Sequence, residues 1–77
     1  MPQRIAPLKP KQVIAALLKA GFYVHHQRGS HARLLHPTRT ESRVTVPIHG
    51  KDLPPSFVRQ RILKQAGLTE EEFLDLL

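Results

Sequence analysis

The stretch FYVHHQRGSHARLLH, residues 22–36, decides the fold of this chain. Apolar residues before it recur with the period of a helix, whereas Phe22 and Val24 alternate with polar residues, which is the period of a strand. Gly29 and Ser30 have the chemistry of a tight turn, because glycine readily adopts a positive φ. The stretch is therefore predicted to be a β-hairpin.

The residues before the hairpin predict an amphipathic helix. Pro10 suits its first position, since the N–H that proline lacks would have no partner there. The positions predicted to form its apolar face, an arc of roughly 140°, are Val13, Ile14, Leu17, Leu18 and Gly21. Gly21 is also predicted to end the helix in the left-handed conformation. Residues 1–8 have no periodicity and contain two prolines, so we expect a flexible arm before a single domain over residues 9–77.

The rest of the chain predicts a third strand and two more helices. Residues 43–48 alternate like a strand, and Pro47 marks an edge or a strand end because it has no N–H to donate. The Pro-Pro step at residues 54–55 begins a helix that Gly67 ends, and Thr69 begins a short last helix with a capping box. The positions predicted to be buried in the second helix are Val58, Ile62, Leu63 and Ala66. This order predicts an α+β fold of two layers, α-β-β-β-α, with both helices on one face of a three-stranded antiparallel sheet.

The chain is strongly basic. It carries 12 Lys and Arg against six Asp and Glu, a formal net charge of +6. Four of the six acids lie in the last eight residues, so residues 1–69 hold 12 bases and two acids, a net charge of +10. A small domain of this charge has the electrostatic character of a nucleic-acid-binding protein, although a basic surface also suits an acidic protein partner.

Several other classes of protein are disfavoured by the composition. The chain has no cysteine, so it forms no disulfide, and a metal site would need histidine and carboxylate ligands. No apolar run approaches the ~18 residues of a membrane span. The first residues lack the apolar segment of a signal peptide, and we therefore expect a cytoplasmic protein without a membrane partner.

Strand alternation predicts which side chains share the face of the sheet that the helices leave uncovered, the open face. The residues predicted there are Tyr23, His25, Gln27, His31, Arg33, Leu35, Arg43 and Thr45. Those predicted to face the core are Phe22, Val24, Ala32, Leu34, Val44, Val46 and Ile48. His26 is predicted to point inward, away from His25, which argues against the two rings binding one metal ion. Every ionisable group predicted on the open face is a cation, an imidazole or a phenol, a combination that suits phosphates and stacked bases, although a solvated sheet face is polar in any case.

A known family shows the same order of motifs. The motifs are AGF (20–22), HQRGSH (26–31), VTVPIHG (44–50) and ILKQAGLTEEEFL (62–74). Together they resemble the HicA toxin family, also called YcfA-like, of type II toxin–antitoxin systems, from about Lys11 to Phe73. The resemblance implies a fold like that of double-stranded-RNA-binding domains, endoribonuclease activity on mRNA, and a HicB-type antitoxin that covers the active face in a hetero-oligomer. The segment KDLPPSF, residues 51–57, departs from the glycine-containing pattern of many members.

The resemblance also implies roles for individual residues. It assigns catalysis to His31, the histidine of the Gly-Ser-His turn, which would act as a general base on an RNA 2′-OH. The resemblance adds Gly29 and Ser30, which complete the motif. Strand position, independently of the resemblance, leads us to expect RNA contacts from Arg28, Arg33, Arg43, Tyr23 and His25. His49 and His25 are the candidates for protonating the leaving oxygen, and no metal or other cofactor is expected. A non-catalytic RNA-binding module of the same fold is the alternative, and it would not need His31.

Overall fold

Helices and strands follow one another in the predicted order. The computed structural model describes residues 5–48 and 50–77. Helix α1 is Pro10–Lys19, and the strands are β1 (Tyr23–Arg28), β2 (His31–Leu35) and β3 (Arg43–Pro47). Helix α2 covers residues 55–66, and helix α3 is Glu70–Leu74. The strands form one antiparallel sheet in the order β1-β2-β3, which confirms the predicted α+β class.

Helix α2 changes its hydrogen-bonding pattern along its length. It consists of α-helical Pro55–Phe57, π-helical Val58–Leu63 and α-helical Lys64–Ala66. All four side chains of its predicted apolar stripe are buried. Gly67 follows with a φ of 71°, so the predicted helix and its predicted end are confirmed. The π-helical segment was not predicted, because the apolar spacing is the same as in an α-helix.

The helices cover the sheet from one side and pack mainly over β3. Both α1 and α2 contact this strand, and its inward side chains Val44 and Val46 are fully buried. Strand β1 is the opposite edge of the sheet. Val24, on β1, lies on the same face as Val44 but is 42% exposed. Its predicted face is therefore correct and its predicted burial is wrong, because the helices do not extend over β1.

The buried face of α1 also differs from the prediction. Pro10, Val13, Ala16 and Leu17 are buried, whereas Leu18 is 48% exposed. The buried face of the helix is thus centred nearer to Ala16 than to Leu18. Apolar spacing alone favoured the larger leucine.

The described residues of the segment before α1, residues 5–8, pack onto the domain and do not form a free arm. Ile5 and Leu8 are buried. The Leu8 N–H donates to the carbonyl oxygen of Leu53 over 3.2 Å, and the Leu53 N–H donates to that of Leu8 over 2.6 Å. Residues 5–8 therefore correct the expectation of a flexible arm, while residues 1–4 lie outside the described part. Two isolated apolar side chains were enough to anchor a segment without periodicity.

Gly21 closes the end of α1 as predicted. Its φ is 99°, in the region that favours glycine. The Phe22 N–H donates to the carbonyl of Leu17 and the Gly21 N–H to that of Leu18, each over 3.0 Å. These two bonds are those of a Schellman motif, which satisfies carbonyls that the helix itself leaves unpaired.

His36, for which the sequence predicts no role, supports this helix end. Its Nδ1 accepts hydrogen bonds from the backbone N–H groups of Thr38 and Arg39, each over 3.2 Å. Nε2 then carries the ring proton and donates to the carbonyl of Ala20 over 3.2 Å. The ring also packs edge-on against Phe22, with centroids 5.0 Å apart. His36 is therefore a structural residue that joins the β2–β3 loop to the end of α1.

We expect Gly21→Ala to lower the free energy of unfolding by about 1–3 kcal/mol. A Cβ at this position would lie 2.9 Å from Nε2 of His36, and alanine disfavours a φ of 99°. The matched control is Gly50→Ala, whose Cβ would meet no atom within 4 Å, so its stability should stay within about ±0.5 kcal/mol of the wild type. Urea unfolding of the two variants measures the difference, and equal stabilities would contradict the constraint at Gly21.

Helix α3 is held by its N-terminal cap and by one aromatic side chain. The Thr69 N–H donates to Glu72 Oε1 over 2.9 Å, and the Glu72 N–H donates to Thr69 Oγ1 over 3.1 Å, which confirms the predicted capping box. Hydrogen bonds from the Thr69 N–H and hydroxyl stabilise the carboxylate and lower the pKa of Glu72. Phe73 is fully buried and anchors the helix in the core.

Candidate functional site

The turn between β1 and β2 places one histidine opposite one arginine. Gly29 has a φ of 57° and Ser30 has no positive φ, the pattern of a type II′ turn. Arg28 and His31 flank this two-residue turn and are cross-strand partners. The predicted tight turn is therefore present, and it brings a guanidinium beside the imidazole of His31.

The open face consists of three rows of side chains that run across the strands. Cross-strand partners share a face, so the pairing register defines each row. From the turn outward the rows are Arg28–His31–Pro47, His26–Arg33–Thr45 and Tyr23–Leu35–Arg43. The face thus collects three arginines, two imidazoles and one exposed aromatic ring.

A β-bulge at His25 corrects the predicted faces of β1. Val24 pairs with Leu34 and His26 pairs with Arg33, so one extra residue separates the two pairs. Beyond the bulge the alternation is shifted by one position. Gln27 therefore shares the helix side with Ala32, and His26 lies on the open face, both contrary to the prediction.

Two shallow pockets divide the open face. The first, of about 340 Å³, is lined by His26, Arg28, His31, Arg33 and Thr45. The second, of about 240 Å³, is lined by His25, Arg33, Leu35, Thr40 and Arg43. Arg33 lines both pockets. Of the other predicted site residues, Arg28 and His31 line the first pocket, and His25 and Arg43 line the second.

The first pocket presents positive charge and no negative charge from the residues that line it. Arg28 and Arg33 contribute two permanent cations, and the lining has no carboxylate. Ser30 Oγ lies 3.4 Å from Nδ1 of His31, at the outer limit of a hydrogen bond. His31 is exposed, so its ring is accessible to a ligand and to solvent. This arrangement suits a phosphate bound beside an accessible imidazole.

The remaining predicted site residues lie in different places. Tyr23 lies on the open face and is 44% exposed, beside Leu35 in the third row. His25 lines the second pocket, away from His31. His49, one candidate for protonating the leaving oxygen, lies outside the described residues. Sequence reasoning missed His26, because no residue type in β1 signals where a bulge falls.

The described part of the chain contains no cluster of potential metal ligands. Within residues 5–48 and 50–77, no group of three or more His, Asp or Glu side chains is placed to hold a metal ion. In the same residues, no helix is long and apolar enough to cross a membrane.

Comparison with known families identifies the family of this chain. The family model described as HicA toxin of bacterial toxin-antitoxin matches residues 10–68, which is more than half of the 77-residue chain. The chain belongs to the HicA toxin family. The match begins with α1, contains the whole sheet and ends after α2. A search of the curated proteins finds no match.

Family membership gives this HicA-family protein its broad role. It is a toxin of a toxin–antitoxin system, and such a system supplies an antitoxin as its partner. The two pockets of the open face lie within the matched residues. By contrast, Ile5 and Leu8, which anchor the segment before α1, lie outside the match.

Proposed function

We propose that this HicA-family toxin is an endoribonuclease that cleaves mRNA without a metal cofactor, with His31 as its catalytic residue. The observation that carries the proposal is the first pocket, in which His31 stands beside Arg28 and Arg33 with no carboxylate in the lining. An imidazole beside two cations combines a proton acceptor with a site for a phosphate. The proposed place of action is the cytoplasm.

The reaction begins at the ribose 2′-OH. His31 takes the 2′-OH proton, and the resulting oxyanion attacks the adjacent phosphorus. The O2′–P bond forms as the P–O5′ bond breaks, which leaves a 2′,3′-cyclic phosphate and a 5′-OH. Arg28 and Arg33 stabilise the negative charge that grows on the phosphate oxygens. Because the attacking hydroxyl belongs to the substrate, DNA is not a substrate for this chemistry.

Binding of the RNA strand extends over the rest of the open face. We assign a phosphate contact to Arg43, which lies on the open face, and base stacking to the exposed ring of Tyr23. We also assign RNA contacts to the turn residues Gly29 and Ser30, because Arg28 and His31, which flank them, line the first pocket. His25 contributes to the second pocket.

A HicB-type antitoxin is the proposed protein partner. Residues 1–69 carry a net charge of +10, and the open face carries three of the arginines. An acidic surface of the antitoxin that covers this face would exclude RNA from His31 and would form a hetero-oligomer with the toxin.

The proposal is tested by incubating the purified protein with single-stranded RNA in buffer that contains EDTA. We expect cleavage, 2′,3′-cyclic phosphate ends on the upstream fragments, and no cleavage of DNA of the same sequence. Binding of the RNA should weaken steeply as salt rises, because arginine–phosphate contacts release counterions.

Two other results would contradict the proposal. Salt-dependent binding without cleavage would favour a non-catalytic RNA-binding module. Activity that requires Mg²⁺ or Zn²⁺ would replace the proposed chemistry by a metal-assisted one.

A further inference from the structure

We propose that His26 is the general acid of the same site, so that the toxin cleaves RNA with two histidines instead of one. The inference rests on the proposed ribonuclease activity and assigns the proton that the leaving 5′-oxygen needs.

The bulge at His25 places the second imidazole. Without the extra residue, His26 would follow the alternation of β1 and point to the helix side. With it, His26 is the cross-strand partner of Arg33 and lines the first pocket together with His31. The two histidines thus reach one pocket from adjacent strands.

The positions of the two histidines on adjacent strands suit a phosphodiester between their side chains. His31 lies two residues before Arg33 on β2, so it is the diagonal neighbour of His26 across the strands. Diagonal neighbours on one face are about 7–8 Å apart, which leaves space for a phosphate group. The attacking and leaving oxygens lie on opposite sides of the phosphorus in such displacements, and two imidazoles flanking the pocket can each serve one oxygen.

The other described histidines are less suited to this role. His36 uses Nδ1 to accept backbone N–H groups and Nε2 to donate to a carbonyl, so its ring is committed to the fold. His25 lines the second pocket, on the far side of Arg33 from His31. His26 is the described histidine that shares the pocket of the proposed base.

These two residues account for both proton transfers of the reaction. Neutral His31 gains the 2′-OH proton and becomes an imidazolium as the O2′–P bond forms. The imidazolium of His26 gives its proton to O5′ as the P–O5′ bond breaks, and it becomes neutral. Exchange with water then restores both rings.

The experiment compares two RNA substrates of one sequence. One is ordinary RNA, and the other has sulfur in place of the bridging 5′-oxygen at the bond that the wild type cleaves. A thiolate leaves without being protonated, so the second substrate does not need a general acid. We expect His26→Ala and His26→Gln to cleave ordinary RNA about 10²–10⁴-fold more slowly than the wild type and to cleave the sulfur substrate at nearly the wild-type rate. His31→Ala should be slow on both substrates.

Gln27→Ala is the matched control, because Gln27 is the next residue of β1 and lies on the opposite face. It should match the wild type on both substrates. Two results would overturn the assignment of His26: cleavage of ordinary RNA by its variants at the wild-type rate, or an equal loss on both substrates, which would mean that His26 only binds or positions RNA. A wild type that does not cleave ordinary RNA would instead refute the ribonuclease proposal itself.

Discussion

His31→Ala is expected to lower the rate of RNA cleavage by about 10²–10⁴-fold, the range typical of losing a general acid or base, and to abolish growth inhibition. The reason is that the variant has no group at the turn that can take the 2′-OH proton. His31→Gln should be equally inactive, since an amide stays polar but does not exchange a proton at neutral pH. Single-turnover cleavage of labelled RNA measures both effects.

The same variants must keep their fold and their affinity for RNA. His31 is exposed on the open face, so its removal should change the free energy of unfolding by no more than about ±0.5 kcal/mol. Arg28 and Arg33 remain to contact phosphate, and RNA binding should persist. An alanine variant that still cuts RNA would refute the role of His31, and one that unfolds would show a structural role.

Val44→Asp is expected to prevent folding at room temperature. Val44 is fully buried in the core cluster beneath the helices, and a carboxylate there would have no cation or hydrogen-bond donor to compensate its desolvation. Mutations of this kind cost more than about 4 kcal/mol, which is comparable with the whole stability of a small domain. Circular dichroism and thermal unfolding would show the loss.

Arg43→Asp is the matched change on the opposite face. Arg43 precedes Val44 in β3 but lies on the open face, where it lines the second pocket. The variant should fold normally and bind RNA more weakly, because a cation near the strand becomes an anion. If the two phenotypes were exchanged, the faces of β3 would be assigned wrongly.

The sequence alone allowed much of the fold to be predicted. Its strongest signals were local: Gly21 and Gly67 end helices, Gly29 begins the hairpin turn, and Thr69 forms a capping box with Glu72. Each depends on the backbone preference or hydrogen bonding of a few neighbouring residues. The burial of Ala16 in α1 and the anchoring of Ile5 depend on distant packing partners, which periodicity does not identify.

The candidate site was predicted in composition but not fully in geometry. Strand alternation placed His31, Arg33 and Arg43 on the open face, because β2 and β3 are regular. It failed in β1 after His25, since the position of a bulge depends on how both strands of the hairpin pair. As a result, the prediction placed Gln27 on the open face, where the structure has His26. It therefore missed the histidine that shares the first pocket with His31.

The same bulge bears on how relatives of this protein should be compared. The pairs on either side of the bulge are ordinary antiparallel pairs, and His25 between them has no partner on β2. A relative that lacks one residue near position 25 would therefore form the same pairs with a regular strand. Alignment columns in β1 would then be offset by one residue between relatives whose three-dimensional sites are identical. A histidine that such relatives carry in different alignment columns would then be equivalent in space when it is compared by its partner on β2, and superposition on Arg33 would reveal that equivalence.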